Sequence, residues 1–157
     1  MQEALRRTFG REVTFDGTTY HAYPSPDALA ATTEERLREL GLGYRAPYVQ
    51  RSAELVASGE LDPADARDQP YEEARGFLTG FVGVGQKVAD CILLFSLDYL
   101  EAVPLDTWIR TTIEEYYPEC DQGTYDETSR AIRAAFGGQY AGYAQTYVFH
   151  YLRNGGE

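Results

Sequence analysis

The amino-acid sequence predicts an all-α fold, and three observations support that prediction. Apolar residues recur at intervals of three to four over most of the chain, and capping residues precede several of these segments. Only residues 14–23 form a short segment of mixed polar and apolar residues with a turn signal, Asp16-Gly17. This segment has no clear sheet partner elsewhere in the chain. The length of 157 residues, with 43% hydrophobic and 13% aromatic content, suits one folded domain. We therefore expect residues 1–157 to form a single domain of seven to nine helices.

The N-terminal half is predicted to contain short, capped helices. Residues 2–9 match the end of a helix that Gly10 closes, since glycine is favoured just after helix C-termini. Ser25 and Thr33 are expected to cap the next two helices, because their hydroxyl oxygens can accept from unpaired backbone N–H groups. Residues 44–57 then have a helical period.

The C-terminal half is predicted to contain five helices, over residues 71–78, 86–97, 106–116, 125–136 and 140–152. The helix that begins at residue 86 is the most apolar of them. Its apolar positions at helical spacing are Val84, Val88, Cys91, Ile92 and Phe95. The last helix has an apolar stripe made by Tyr140, Ala144, Tyr147, Val148 and Tyr151.

The composition restricts the partner and the compartment only in part. A formal net charge of −11 argues against a nucleic-acid partner, because phosphate contacts need lysine or arginine. However, the composition, with one lysine among 14 basic residues and with 25 acidic residues, resembles that of a halophilic archaeon's proteins. The acidic surfaces of such proteins maintain solubility at high salt. Cys91 and Cys120 lack metal-ligand spacing. With no bilayer-spanning run and no evident signal peptide, we expect a cytoplasmic protein without membrane contact.

Lys87, the only lysine, directly follows the sequence Gly83-Val84-Gly85-Gln86 at a predicted helix start. Glycines leave consecutive backbone N–H groups accessible, and with the helix N-terminus they form an anion site that suits a DNA phosphate. The alternative is a plain turn between two helices. Unlike arginine, lysine can lose its proton and attack carbon, so Lys87 is a candidate nucleophile.

Four other side chains are candidates to act with Lys87. Cys91 lies one helical turn after it, and Asp106 begins the next helix, where a carboxylate can accept a proton or stabilise a cation. Gln145 and Phe149 are one turn apart, and an amide can bind a base edge while a ring stacks on a base face. The ordinary alternatives are a helix cap for Asp106, core residues for Cys91 and Phe149, and a solvated Gln145.

Residues 78–109 closely resemble the 8-oxoguanine DNA glycosylase/AP lyase branch of the helix-hairpin-helix-GPD superfamily. The strongest matching motifs in this stretch are GVGQKVADC (83–91) and AVPLD (102–106). The motifs GLGYRA (41–46), YHAYPS (20–25) and AGYAQ (141–145) also match, so the resemblance runs over nearly the whole chain. The resemblance implies that superfamily's all-α fold, with the helix-hairpin-helix motif at about residues 71–97. It also implies that the family's N-terminal sheet domain is absent from this chain.

The resemblance implies a role for each candidate residue. Lys87 is similar to the nucleophile that forms a Schiff base with C1′ of the damaged nucleotide, and Asp106 to its essential carboxylate. The base pocket implied by the resemblance consists of Cys91, Gln145 and Phe149. Arg45 and Tyr44 would contact the base opposite the lesion. The implied phosphate contacts are Gly83, Gly85, Lys87 and Trp108, the last standing where the family usually has a histidine. A cation would bind the backbone carbonyls of Thr79, Phe81 and Val84.

The implied reaction is excision of 8-oxoguanine from double-stranded DNA, followed by strand cleavage through β-elimination. No cofactor is expected to be required beyond a structural monovalent or divalent cation at the hairpin. We expect a monomer associated with the nucleoid in the cytoplasm. Two alternatives stay open: a DNA-binding module without catalysis, and a glycosylase for another damaged base such as an alkylated purine.

Overall fold

A computed structural model describes residues 1–154, and within them the chain is predominantly helical, which confirms the all-α prediction. Its helices are α1 (Gln2–Phe9), α2 (Pro26–Ala30), α3 (Glu34–Glu39), α4 (Ala46–Ala57), α5 (Tyr71–Leu78), α6 (Gln86–Ser96), α7 (Thr107–Tyr116), α8 (Tyr125–Ala135) and α9 (Ala141–Arg153). Short 3-10 turns cover Gly43–Arg45, Pro63–Ala66, Pro118–Cys120 and Gly138–Tyr140. Over residues 1–154, no helix combines the length and apolarity needed to cross a bilayer.

The chain divides into two compact units. Unit 1 is Met1–Asp65 with Phe81–Gly83, and unit 2 is Ala66–Gly80 with the chain from Val84 onward. The single domain expected over residues 1–157 stays a prediction.

Unit 1 is built from α1 to α4 and a short β-hairpin. Its core residues are Leu5, Leu29, Leu37, Leu42, Ala46 and Ala53. The predicted caps are confirmed, since Ser25 accepts from the Ala28 N–H and Thr33 from the Arg36 N–H, each at 3.2 Å.

The mixed stretch in unit 1 forms two antiparallel strands, β1 (Glu12–Phe15) and β2 (Thr18–His21), which pair with each other. The sequence was interpreted as offering no sheet partner elsewhere in the chain, and the partner of each strand is in fact the other strand of the same stretch. Asp16 and Gly17 both have positive φ, at 48° and 71°, as a two-residue hairpin turn requires.

Unit 2 contains α5 to α9, and its core residues are Val103, Leu105, Ile109, Ile113, Cys120, Ile132 and Ala141. α5 packs on α6, and α9 packs on both α7 and α8. This arrangement brings the start of α6, the start of α7 and one side of α9 around a common space.

The apolar stripe of α6 does not coincide with the side of the helix that is buried. Its buried side chains are Ala89, Asp90, Leu93 and Leu94, whereas Val88 and Phe95 are 39% and 67% exposed. The helix is apolar on more than one side, so periodicity alone could not select the face that meets the core. The buried carboxylate of Asp90 accepts hydrogen bonds from the hydroxyls of Tyr71 and Tyr125.

The stripe of α9 likewise does not coincide with its buried side. Ala141, Gly142 and Gln145 are its buried residues, while Tyr140, Tyr147 and Tyr151 are exposed. Tyrosine carries a polar hydroxyl on an apolar ring, so a helical stripe of tyrosines can face water as readily as the core.

Candidate active site

A pocket of about 140 Å³ in unit 2 brings together all five side chains that the sequence marks as catalytic or base-binding. Its lining residues are Lys87, Cys91, Phe95, Pro104, Asp106, Gln145, Thr146 and Phe149. They come from α6, from the segment between α6 and α7, and from α9. A nucleophilic amine, a carboxylate, a thiol, an amide and two phenyl rings therefore meet in one small space.

Lys87 lies in the first turn of α6, and its side chain is exposed. Gly85 is the N-cap of this helix and has an extended backbone, so no side chain covers the helix start. The unpaired N–H groups of a helix N-terminus carry partial positive charge and attract anions. An anionic group of a substrate at this point would be held beside the amine.

Asp106 is confirmed as the N-cap of α7. One of its carboxylate oxygens accepts from the Ile109 N–H at 2.9 Å, which fixes the side chain, and the carboxylate also lines the pocket. The helix-cap alternative is therefore correct. It does not exclude a chemical role, because the cap holds in place the same carboxylate that lines the pocket.

Cys91 is half-buried, one turn after Lys87. Burial raises the pKa of its thiol, while the positive charge of Lys87 acts in the opposite direction. The thiol is thus kept protonated near neutral pH, where it acts as a small, polarisable contact surface rather than as a nucleophile.

Gln145 is 5% exposed, and its side-chain oxygen Oε1 finds no hydrogen-bond partner among residues 1–154. The alternative of a solvated glutamine is therefore wrong. Burying an amide oxygen without a partner costs free energy, so a ligand that donates a hydrogen bond here would recover that cost. Phe149, one turn further along α9, is half-buried and lines the same pocket.

Three pocket residues were missed by the sequence analysis: Phe95, Pro104 and Thr146. Phe95 is 67% exposed, two turns after Lys87 on the same side of α6. The spacing of four between Lys87, Cys91 and Phe95 was the signal that could have found it. Thr146 and Pro104 gave no comparable signal, because only tertiary packing brings their segments to the pocket.

The hairpin glycine of unit 1, Gly83, has a φ of 81°, and a Cβ on it would come within 2.5 Å of the Tyr48 ring. Glycine is therefore required here both for the turn and for the close approach of the ring. Tyr48 also contacts Tyr44 edge-on, with ring centroids 6.3 Å apart. The Arg45 guanidinium lies 4.6 Å from the centroid of the Tyr44 ring.

Arg45 and Tyr44 thus form an exposed cation–π pair in unit 1, with Tyr44 68% exposed. Trp108, the predicted phosphate contact of unit 2, is 44% exposed in the first turn of α7. The phosphate contacts and the cation at the carbonyls of Thr79, Phe81 and Val84 stay predictions. Among residues 1–154, no group of three or more acidic, histidine or cysteine side chains is arranged to hold a metal ion.

A buried polar network surrounds Asp90 of α6. The hydroxyls of Tyr71 and Tyr125 donate to its two carboxylate oxygens at 2.6 and 2.7 Å. Arg75, 5% exposed, donates to the Tyr71 hydroxyl at 3.3 Å and lies 3.9 Å from Asp90. Burial raises the pKa of Asp90, and the two phenol hydrogen bonds oppose that rise.

The network predicts a loss of stability in alkali. Burial and the neighbouring Asp90 carboxylate raise the pKa of both Tyr71 and Tyr125. Above about pH 10 the unfolded tyrosines lose protons that the folded pair retains, so the free energy of unfolding should fall as pH rises. Urea unfolding between about pH 8 and 11 measures this slope. The double variant Tyr71→Phe/Tyr125→Phe should have a flatter slope; an unchanged slope would contradict the assignment.

The chain is similar in sequence and in fold to known DNA repair proteins. The family model described as HhH-GPD superfamily base excision DNA repair protein matches residues 2–136. A probable N-glycosylase/DNA lyase of Methanothermobacter thermautotrophicus is 34% identical and aligns with 98% of this chain and 54% of its own length. The N-glycosylase/DNA lyase OGG1 of Arabidopsis thaliana is also 34% identical, over 85% of this chain and 39% of its own length.

A solved structure is similar over almost all of the chain. It is the Clostridium acetobutylicum 8-oxoguanine glycosylase/lyase, in complex with double-stranded DNA containing cytosine opposite 8-oxoguanine. The TM-score is 0.86 at 30% identity, covering 99% of this chain and 53% of that one. The chain therefore spans about half the length of the relatives that it matches.

Proposed function

Since this chain belongs to the HhH-GPD superfamily of base excision DNA repair proteins, we propose that it is a DNA glycosylase with an associated AP lyase activity. Its proposed substrate is 8-oxoguanine in double-stranded DNA. The observation that carries the proposal is that the only lysine of the chain lines one pocket with Asp106, Cys91, Gln145 and Phe149. An amine, a carboxylate and a base-sized recess are the parts that this chemistry needs.

In the proposed reaction, the neutral Lys87 amine forms a bond from Nζ to C1′ of the damaged nucleotide. The bond from C1′ to the base breaks, and the base leaves with its electron pair and takes up the proton that the attacking amine loses. Opening of the sugar ring gives a protonated Schiff base between Nζ and C1′, as the released ring oxygen takes up a proton from solvent. Removal of a C2′ proton then expels the 3′ phosphate by β-elimination, which cuts the strand. Asp106, held by its cap, stabilises the positive charge that develops on the sugar.

The proposed base pocket uses the three remaining side chains. The flipped base lies between Cys91 and Phe149, while the unpaired Oε1 of Gln145 accepts a hydrogen bond from a base N–H. Apolar contact on both faces and one fixed acceptor at the edge suit a planar base that carries an N–H donor.

The remaining proposed contacts are with the DNA backbone and the opposite strand. Arg45, with Tyr44, contacts the base left unpaired opposite the lesion, supported by the exposure of this pair. Backbone N–H groups of the hairpin and of the α6 start bind a phosphate, and Trp108 lies against another. Backbone amides need no basic side chains, which fits DNA binding by an acidic chain. We propose action as a monomer at the nucleoid.

Borohydride trapping tests the proposal. The protein is incubated with duplexes containing 8-oxoguanine opposite cytosine, an abasic site, N3-methyladenine or undamaged guanine, at low and high salt. We expect a covalent adduct and a nick with 8-oxoguanine and with the abasic site. Duplex binding without any adduct would instead indicate a binding module. A preference for N3-methyladenine over 8-oxoguanine would overturn the proposed substrate.

A further inference from the structure

The first turn of α8 is linked to the residues that directly precede both Lys87 and Asp106. We propose that two adjacent residues of this turn, Tyr125 and Asp126, form a clamp that sets the position of Lys87 relative to Asp106. They are positioning residues, since neither lines the pocket. The inference rests on the proposed function, because it assigns Lys87 and Asp106 to one reaction.

Tyr125 provides the link to Asp106. Its hydroxyl accepts from the backbone N–H of Leu105 at 3.2 Å and donates to the Asp90 carboxylate at 2.7 Å. Leu105 is buried, so this N–H has lost its access to water and depends on the phenol. One hydroxyl thereby ties the backbone just before Asp106 to the middle of α6.

Asp126 provides the link to Lys87. Its Oδ1 atom accepts from the side-chain amide of Gln86 at 2.8 Å and pairs with the buried Arg75 guanidinium at 2.6 Å. Gln86 is the first residue of α6, so its anchor lies one residue from Lys87. Arg75 in turn joins the same network as Asp90, through the Tyr71 hydroxyl.

The two links share one rigid support. Adjacent residues in a helix have a fixed geometry, so anchoring Gln86 and Leu105 to one helical turn fixes the distance between the starts of α6 and α7. Lys87 and Asp106 belong to these two starts. A misplacement of about 1 Å between reacting groups can cost roughly 10²-fold in rate. A device that controls this distance should therefore affect the chemical step and leave DNA affinity unchanged.

The variants Tyr125→Phe and Asp126→Ala test the clamp, because each removes one link. The matched control is Tyr99→Phe, which also removes a hydroxyl that is bonded to the backbone, at Ala66 and Gln69. We expect the single-turnover rate of adduct formation to fall roughly 10- to 100-fold in the two clamp variants, with an unchanged Kd for the duplex. In Tyr99→Phe both quantities should match the wild type.

Two results would overturn the clamp: a rate loss no larger than that of Tyr99→Phe, or a rate loss matched by a loss of affinity.

A second readout needs no catalysis. Reductive ¹³C-methylation labels Lys87 alone among side chains. Its methyl NMR resonance should shift in Tyr125→Phe and in Asp126→Ala, and not in Tyr99→Phe. If the wild type forms no adduct, the proposed function fails; an unmoved resonance contradicts the clamp itself. Asp126 is about half exposed, so its variant should fold even if Tyr125→Phe does not.

Discussion

The Lys87→Gln variant is expected to form no borohydride-trapped adduct and to leave abasic DNA uncut. Glutamine has no nucleophilic amine, and this chain has no second lysine to replace it. The rate of lesion excision should fall by roughly 10³-fold or more, as is usual when a covalent nucleophile is removed. Denaturing gels of radiolabelled 8-oxoguanine and abasic duplexes, with and without borohydride, measure adduct and nick separately.

Two controls separate nucleophilicity from charge. Lys87→Arg retains the positive charge without a usable nucleophile, so it should bind duplex DNA and still form no adduct. Arg36→Gln removes one charge on the exposed side of α3 and should retain full activity. An adduct that persists in Lys87→Gln would contradict the assignment and would point to the N-terminal amine, the one other primary amine of the sequence.

Gly142→Ala is expected to destabilise the folded state by about 2–3 kcal/mol. A Cβ on Gly142 would lie 2.6 Å from the carbonyl oxygen of Ala102 and 2.8 Å from that of Leu100. Both of these atoms belong to backbone, which cannot move aside as a flexible side chain could. The Gly142 N–H also donates to the Leu100 carbonyl at 2.8 Å, so α9 is held tightly against this segment. Urea unfolding measures the loss.

Gly76→Ala is the matched control for this prediction. Gly76 lies within α5, and a Cβ on it would meet no atom within 4 Å. Alanine is the better helix former, so this variant should be more stable by up to about 1 kcal/mol. If helix propensity rather than contact decided the Gly142 result, both variants would be stabilised, whereas we expect only Gly76→Ala to be.

The close contact at Gly142 also bears on the site. Gln145 lies one turn later on α9, and its buried side chain enters the pocket because the helix approaches the 100–102 segment so closely. A displaced α9 would move Gln145 and Phe149 together. Close packing of α9 therefore requires a glycine at this position of the AGYAQ motif. The spacing of residues within the motif could not reveal that requirement.

The helix starts were predictable from the sequence because capping is a local interaction. Ser25, Thr33 and Asp106 each accept from a backbone N–H three residues later, and all three caps are confirmed. The buried faces were not predictable. Both α6 and α9 have apolar or aromatic residues on several sides, and neither the burial of Asp90 nor that of Gln145 could be inferred from residue type.

The sequence by itself determined the helical fold and the candidate site residues, from the glycine hairpin and the single lysine to Asp106 and the Gln145–Phe149 pair. These signals are local: a cap, a turn or an i to i+4 spacing involves residues within one helical turn. Only the tertiary structure decided that the five candidate side chains share one pocket. It also decided that Tyr125 and Asp126 hold the residues before Lys87 and Asp106. Such contacts join residues 20 or 40 positions apart, and they depend on which helix faces are buried rather than on sequence period.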